Sequence, residues 1–154
     1  MFNWLTWKEY FRKGADFQIS KEQALNILNE SRIGTMATVK SNKPHSRYMT
    51  FFNEDFTLYT PTNKNTHKVE DIEANPYTHI LIGYEGEGFG DAFLEIEGKV
   101  SESTDESLKE KIWNDHMKNW FDGPEDPDLV ILVVKPDSIR LMNKSGQPPE
   151  TIEF

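Results

Sequence analysis

Ile33-Gly34-Thr35-Met36-Ala37-Thr38-Val39-Lys40-Ser41-Asn42-Lys43-Pro44-His45-Ser46-Arg47-Tyr48-Met49-Thr50-Phe51-Phe52 is the stretch on which the fold turns. Ile33, Thr35, Ala37 and Val39 occupy every second position, the period of a strand with one set of side chains on each face. Ser41 to Pro44 has turn chemistry. Ser46 to Phe52 is again rich in aromatic and β-forming residues. Strands joined by so short a turn pair antiparallel, because parallel neighbours need a crossover of a dozen residues or more.

Downstream the pattern continues. Asn53-Glu54-Asp55 is a turn and Phe56 to Thr60 a third strand. Pro61 to Asn65 is a polar loop, followed by a short helix from Thr66 to Ala74 with Val69 and Ile72 inward, stopped by Asn75-Pro76. Tyr77 to Tyr84 and Asp91 to Ser101 read as strands around a loop marked by Gly86, Gly88 and Gly90. Ser103 and Glu106 make a capping box for a helix whose apolar face carries Leu108, Ile112, Trp113 and Met117. Gly123-Pro124 and Asp126-Pro127 break the chain. Leu129 to Val134 is apolar on both faces, as a central strand requires. Upstream, Ser20 and Gln23 form another capping box, opening a helix with Ala24, Ile27 and Leu28 on one face up to Glu30. Trp4, Trp7 and Phe11 also have helical spacing.

Six or seven hairpin-connected strands with three marginal helices predict a mainly β (α+β) fold, an antiparallel barrel or sandwich. Residues 1–154 are expected to be one domain: an N-terminal extension or helix over 1–19, the barrel over 20–142, and a loose, polar, Pro-rich tail over 143–154.

Composition narrows the function. With 36% hydrophobic and 28% charged residues, the chain reads as soluble and globular. Its longest apolar run, Leu129 to Val134, is too short to span a bilayer, and the first residues do not resemble a signal peptide, so a cytoplasmic location and no membrane partner are expected. The absence of cysteine excludes disulfides, thiolate nucleophiles and iron–sulfur ligation. A net charge of −9 disfavours nucleic acid. Yet between Lys40 and Lys68 five basic residues face two acidic ones. A basic segment in an acidic chain suggests a confined anion site, or a chance cluster of solvated lysines.

The anion site can be located. The first amides of the helix after Thr66 or Asn65 lack partners and the helix dipole is positive there. Thr66, His67 and Lys68 can reach the same anion, and Arg47, on a neighbouring strand, can add a bidentate clamp. A terminal phosphate suits such a seat. The bland alternative is that Thr66 caps a helix, Lys68 is solvated and Arg47 pairs with Glu54.

The four histidines lack metal-ligand spacing, so no metal is expected. Gly86 to Gly90 is not a dinucleotide fingerprint. Glu95 and Glu97 share a strand face and could do acid–base work, but read better as a solvated face or dimer contacts. Trp113 and Trp120 could pack on the partner subunit or the flavin, with core or interface packing the commoner fate.

The ordered series Ile33-Gly34-Thr35-Met36-Ala37-Thr38, Arg47-Tyr48-Met49-Thr50-Phe51, Leu58-Tyr59-Thr60, Thr66-His67-Lys68-Val69, Asn75-Pro76, Leu94-Glu95-Ile96-Glu97-Gly98, Trp120-Phe121 and Asp126-Pro127 resembles the pyridoxamine 5'-phosphate oxidase-like, FMN-binding split-barrel family, in its general stress protein branch. The resemblance implies a six-stranded antiparallel split barrel that forms a homodimer, with flavin mononucleotide (FMN) at the subunit interface. It implies that Arg47, Tyr48, Met49 and Thr50 contact the phosphate and the ring edge. Tyr59 and Thr60 would flank the flavin, and Thr66, His67 and Lys68 would hold the phosphate. The chain departs from the oxidases in carrying His67 where they have arginine, and in lacking their C-terminal Trp and Arg-x-His motif. Vitamin B6 oxidation is therefore not expected. A flavin-dependent oxidoreductase of unknown substrate is the first expectation, with no residue standing out as acid or base. A non-catalytic flavin carrier or stress-linked sensor is the alternative, as is a barrel for another anionic cofactor, haem or a deazaflavin.

Overall fold

The computed structural model describes residues 4–154, with side chains from Thr6 onward. Helix α1 (Trp4–Glu30) leads into β1 (Ile33–Lys40), β2 (Lys43–Thr50), β3 (Phe52–Glu54) and β4 (Thr57–Asn63). Helix α2 (His67–Ala74), β5 (Tyr77–Ile82) and β6 (Phe93–Ser103) follow. Helix α3 (Glu106–Ile112), a 3-10 turn (Asp115–Asn119), β7 (Leu129–Met142) and β8 (Glu150–Thr151) complete the chain.

All pairings are antiparallel, and the strand order is β2-β1-β5-β6-β7-β4-β3, with β8 added to β7. β2 and β3 stand at opposite ends of that order, yet only Phe51 separates them in sequence. The sheet must therefore roll until its two edges meet at Phe51, which makes it an antiparallel split β-barrel. Strand alternation fills the interior: Met36, Leu58, Ile80, Leu94, Ile96, Leu132, Val134, Ile139 and Leu141 are all fully buried in one cluster. Burying each such side chain contributes roughly 1.5–3 kcal/mol against leaving it in water. A satellite cluster of Ile112, Met117, Phe121, Leu129 and Ile131 fixes α3 and the 3-10 turn against β7.

β7 is central, as its apolar run predicts, but it extends to Met142. It carries Pro136 where the pairing with β6 slips at Glu97/Gly98. A proline is tolerated at such a bulge. Gly98 is required there, because a Cβ would lie 2.5 Å from the Lys135 carbonyl oxygen.

Three expectations change. The helix does not begin at Ser20, since α1 runs unbroken through it. Ser20, Ala24 and Leu28 form one buried stripe, and the Ser20 hydroxyl donates to the Glu150 carboxylate at 2.7 Å instead of capping. The cap of α3 is Asp105, not Ser103, which belongs to β6; the Asp105 carboxylate accepts from the Ser107 and Leu108 amides. The Ser107 hydroxyl, which also donates to it at 2.7 Å, and then those amide bonds hold its carboxyl below the usual range. The tail is not loose. β4 pairs only with Leu129–Val134, so the second half of β7 leaves a free edge. β8 fills it, with Arg140 opposite Thr151, and the Ile152 amide donates to the Ile139 carbonyl at 2.8 Å. Ile152 is buried and the Phe154 ring lies tilted against Phe56, with centroids 5.4 Å apart. An unpaired strand edge is a strong acceptor for any extended segment within reach.

Candidate functional site

Where β2 parts from β4, a groove of about 440 Å³ opens. Its floor and walls come from both sides of Phe51 (Tyr48 to Phe52), the end of β4 and the start of α2, and its far wall from the 3-10 turn. Met49, Phe52, Pro61, Met117 and Phe121 make it largely apolar, and Lys68 and Thr66 supply polarity at one end. That size and mixture suit a small ligand with a flat body and a charged tail. A second hollow, about 540 Å³, lies between α1 and the Gly86–Gly90 loop, but Glu30, Glu85, Glu87 and Asp91 line it. Four carboxylates repel a phosphate.

The charged end of the groove follows from local sequence. Thr66 stands at the N-cap of α2 in an extended conformation. Its hydroxyl donates to the Asn63 carbonyl at 3.0 Å rather than to the helix. Lys68, one residue into the helix, is half-buried, and among the described residues it has no hydrogen bond or ion pair. Burial pushes its ammonium below the ordinary lysine range, and the nearby Arg47 guanidinium pushes it the same way. Arg47 projects inward from β2, beside Met49, and donates to the Thr38 hydroxyl at 2.7 Å and the Met36 carbonyl at 3.4 Å. Burial lowers its pKa too, opposed by the Asp71 carboxylate of α2. Two neighbouring, partly desolvated cations cost free energy that an anion between them would offset.

Of the nine residues named from sequence, the structure brings Tyr48, Met49, Thr50, Thr66 and Lys68 to the groove. Arg47 stands behind Lys68, tied to β1. Tyr59 packs against the satellite cluster. Thr60 points into the barrel, fully buried, with its hydroxyl unpartnered among the described residues. His67 is turned to solvent, 3.8 Å from Glu70. Arg47 does not pair with Glu54, whose carboxylate binds Lys111 at 2.6 Å.

Sequence reasoning favoured core or interface packing for Trp120 over contact with the flavin, and it missed Asn114 and His116. All three line the groove, and Trp120 is 72% exposed there. The Trp120-Phe121 pair was the available signal: one ring is buried in the satellite cluster, and the other faces solvent. Trp113 packs against that cluster. Glu95 and Glu97 face outward from the barrel; Glu95 binds Arg140 and lies 3.4 Å from His79.

The model of the family described as pyridoxamine 5'-phosphate oxidase matches residues 20–143. The chain belongs to that family. Within the pyridoxamine 5'-phosphate oxidase family it is similar to General stress protein 26 of Bacillus subtilis (strain 168): 51% identical over 134 residues, covering 87% of this chain and 96% of that one. The crystal structure of General stress protein 26 from Bacillus anthracis str. Sterne superposes with a TM-score of 0.78 at 38% identity, covering 87% of this chain and 98% of that chain. A heme binding protein from Mycobacterium smegmatis (TM-score 0.69, 16% identity, 85% of this chain and 57% of that one) shares the fold alone. So does an F420 reductase (TM-score 0.59, 24% identity, 74% and 93%). Among the described residues no helix is long and apolar enough to cross a membrane.

Proposed function

We propose that this pyridoxamine 5'-phosphate oxidase-family barrel binds FMN in the groove and acts as a flavin-dependent oxidoreductase. One observation carries the reading: Lys68, a half-buried ammonium without an anionic partner among the described residues, sits beside Arg47 at the end of an apolar groove. The donor set fits a phosphate. Lys68 supplies the facing charge, and the free amides at the start of α2 supply further donors. Arg47 adds field from behind, held to β1 through Thr38. The Thr66 hydroxyl, which donates to the Asn63 carbonyl at 3.0 Å, would join them by turning away from it. Met49, Phe52 and Met117 line the apolar part of the groove and would hold the isoalloxazine ring, with Trp120 shielding it from water. The flavin supplies the electron chemistry, while the chain's residues bind, orient and shield.

The reading includes a homodimer and a cytoplasmic location. On the outer face of the sheet, register puts Tyr48 and Leu81 on either side of Thr35, with Ile33 two residues away. Tyr48, Leu81 and Ile33 are exposed. A second barrel covering that apolar row would close the open side of the groove, where Tyr48 and Trp120 stand free.

Reconstituted protein is expected to lose flavin absorbance when NADH or NADPH is added anaerobically. Bleaching with neither supports the carrier reading, favoured by a groove whose only titratable lining groups among the described residues are Tyr48, Lys68 and His116. Native mass spectrometry of freshly purified protein separates FMN from haem and F420.

Affinity for FMN is expected to depend on pH in a defined direction. The free ammonium of Lys68 has a lowered pKa, and a bound phosphate raises it again. Binding therefore takes up a proton between the free and bound values, so affinity falls as pH rises through the free-state pKa of Lys68. At the acid end it falls again below about 6, where a phosphate monoester loses its second charge. Fluorescence titration across pH checks this, and riboflavin should show neither limb.

A further inference from the structure

Residues 6–19 of α1 are exposed throughout, whereas Ser20, Ala24 and Leu28 are buried on the barrel. The family match begins at residue 20. Residues 6–19 are thus an arm of about 21 Å beyond the shared domain. It is strongly sided. Trp7, Tyr10, Phe11, Gly14 and Phe17 share one face by helical spacing, and Lys8, Glu9, Arg12, Lys13 and Asp16 share the other. Trp7 is 53% exposed, Tyr10 74%, Phe11 67% and Phe17 49%. Trp7 stacks on Phe11 at 5.9 Å, with Tyr10 edge-on to it, so the rings form one continuous surface.

Such an arm does not hold itself. A lone helix of about 12–15 residues is marginal in water even when rich in alanine. This one contains Gly14 and four aromatic residues, all weaker helix formers than alanine. Its helicity needs a covered face. We infer that the aromatic face of the arm packs against the same face of a second copy of this chain, forming an antiparallel helix pair outside the barrels.

Two quantities select this occupant. Fully burying an aromatic side chain removes roughly 150–250 Å². With half to three-quarters of each ring exposed, the face offers roughly 400–600 Å² per chain, much of the ~800 Å² that a standard interface takes from each partner. The face is open at Gly14 as well, where a Cβ would meet nothing within 4 Å. Charge argues against a lipid surface. The arm has three basic residues against two acidic ones, on a chain of net charge −9, whereas helices that lie on anionic bilayers carry many cations on the polar face.

The test uses the full-length chain. Trp7→Glu/Phe11→Glu is expected to weaken self-association by roughly 30-fold or more in sedimentation equilibrium and to reduce far-ultraviolet helix signal. FMN affinity, read at the remote groove and at protein concentrations where wild type and variant are both dimeric, should be unchanged. Because the chain has no cysteine, Gly14→Cys gives a unique thiol. A short bis-maleimide is expected to convert it to a covalent dimer, and not to do so when Trp7→Glu/Phe11→Glu is added. Identical sedimentation of wild type and double variant, with no covalent dimer, overturns the inference. So does flotation of wild type, but not of the double variant, with vesicles of phosphatidylcholine and phosphatidylglycerol when no covalent dimer forms in solution.

Discussion

Lys68→Ala is expected to weaken FMN binding tenfold or more while leaving riboflavin affinity unchanged, because riboflavin lacks the phosphate. A charge-assisted hydrogen bond contributes about 1.5–3 kcal/mol, and 1.4 kcal/mol is about tenfold in affinity. The substitution should not destabilise the free protein. Lys68 is half-buried and makes no ion pair among the described residues, and its pKa is lowered by burial and by Arg47. A depressed lysine pKa means that the unfolded chain binds more protons than the native one between the two values. The native charge therefore costs stability at neutral pH, and that cost fades as pH rises through the window. Alanine removes the charge and with it the cost. Lost FMN affinity with unchanged or raised thermal stability would separate a ligand-holding cation from a structural one. His67→Ala is the internal comparison. Its ring is turned to solvent near Glu70, so FMN affinity should change little. If both variants lose FMN equally, the loop rearranges on binding; if Lys68→Ala weakens riboflavin as much as FMN, the phosphate assignment is wrong.

Legibility in the sequence followed the range of the interactions. The β1–β2 hairpin could be read because Ile33, Thr35, Ala37 and Val39 set a local period, and Ser41-Asn42 takes the positive-φ turn between the strands. The centrality of β7 could be read because six successive apolar residues leave no solvent face. The charged end of the site was legible for the same reason: a helix start, Thr66 and Lys68 lie within three residues. Non-local features were not legible. Ser20-Lys21-Glu22-Gln23 has the same pattern whether the serine caps a helix in water or lies buried inside one bonded to Glu150, 130 residues away. The tail's polar composition does not reveal the free edge on β7 that β8 fills. The far wall of the groove comes from the 3-10 turn, held by a cluster that local patterns do not join to β4. Thr60 is a different case, because its direction could have been inferred. Leu58 must face the core, so Thr60 and Thr62 on the same face must too, which turns Tyr59 away.

Phe51→Ala is expected to cost about 3–5 kcal/mol of folding stability, the range for truncating a buried phenylalanine. That is a large share of the roughly 5–15 kcal/mol typical of a folded domain. Phe51 is 1% exposed and is the single residue between the two strands at opposite ends of the sheet order. Its amide donates to the Arg32 carbonyl at 2.7 Å, tying the seam to the start of β1. Its ring lies so close to Gly34 that a Cβ there would stand 3.2 Å from it. An alanine leaves a cavity where the edges meet, and close-packed neighbours on both strands cannot fill it without breaking register. The groove should suffer as well, since Tyr48, Met49 and Thr50 precede Phe51 and Phe52 follows it. FMN affinity should therefore fall at temperatures where the variant is still folded, an effect not expected of a cavity at the opposite side of the barrel, such as that left by Ile96→Ala. Urea unfolding of the two variants, paired with FMN titration below their midpoints, makes the comparison. Comparable stability losses with equal FMN affinities would mean that the seam closes the barrel without shaping the groove. A loss below about 1 kcal/mol for Phe51→Ala, smaller than buried truncations cost, would mean that the barrel is held shut elsewhere.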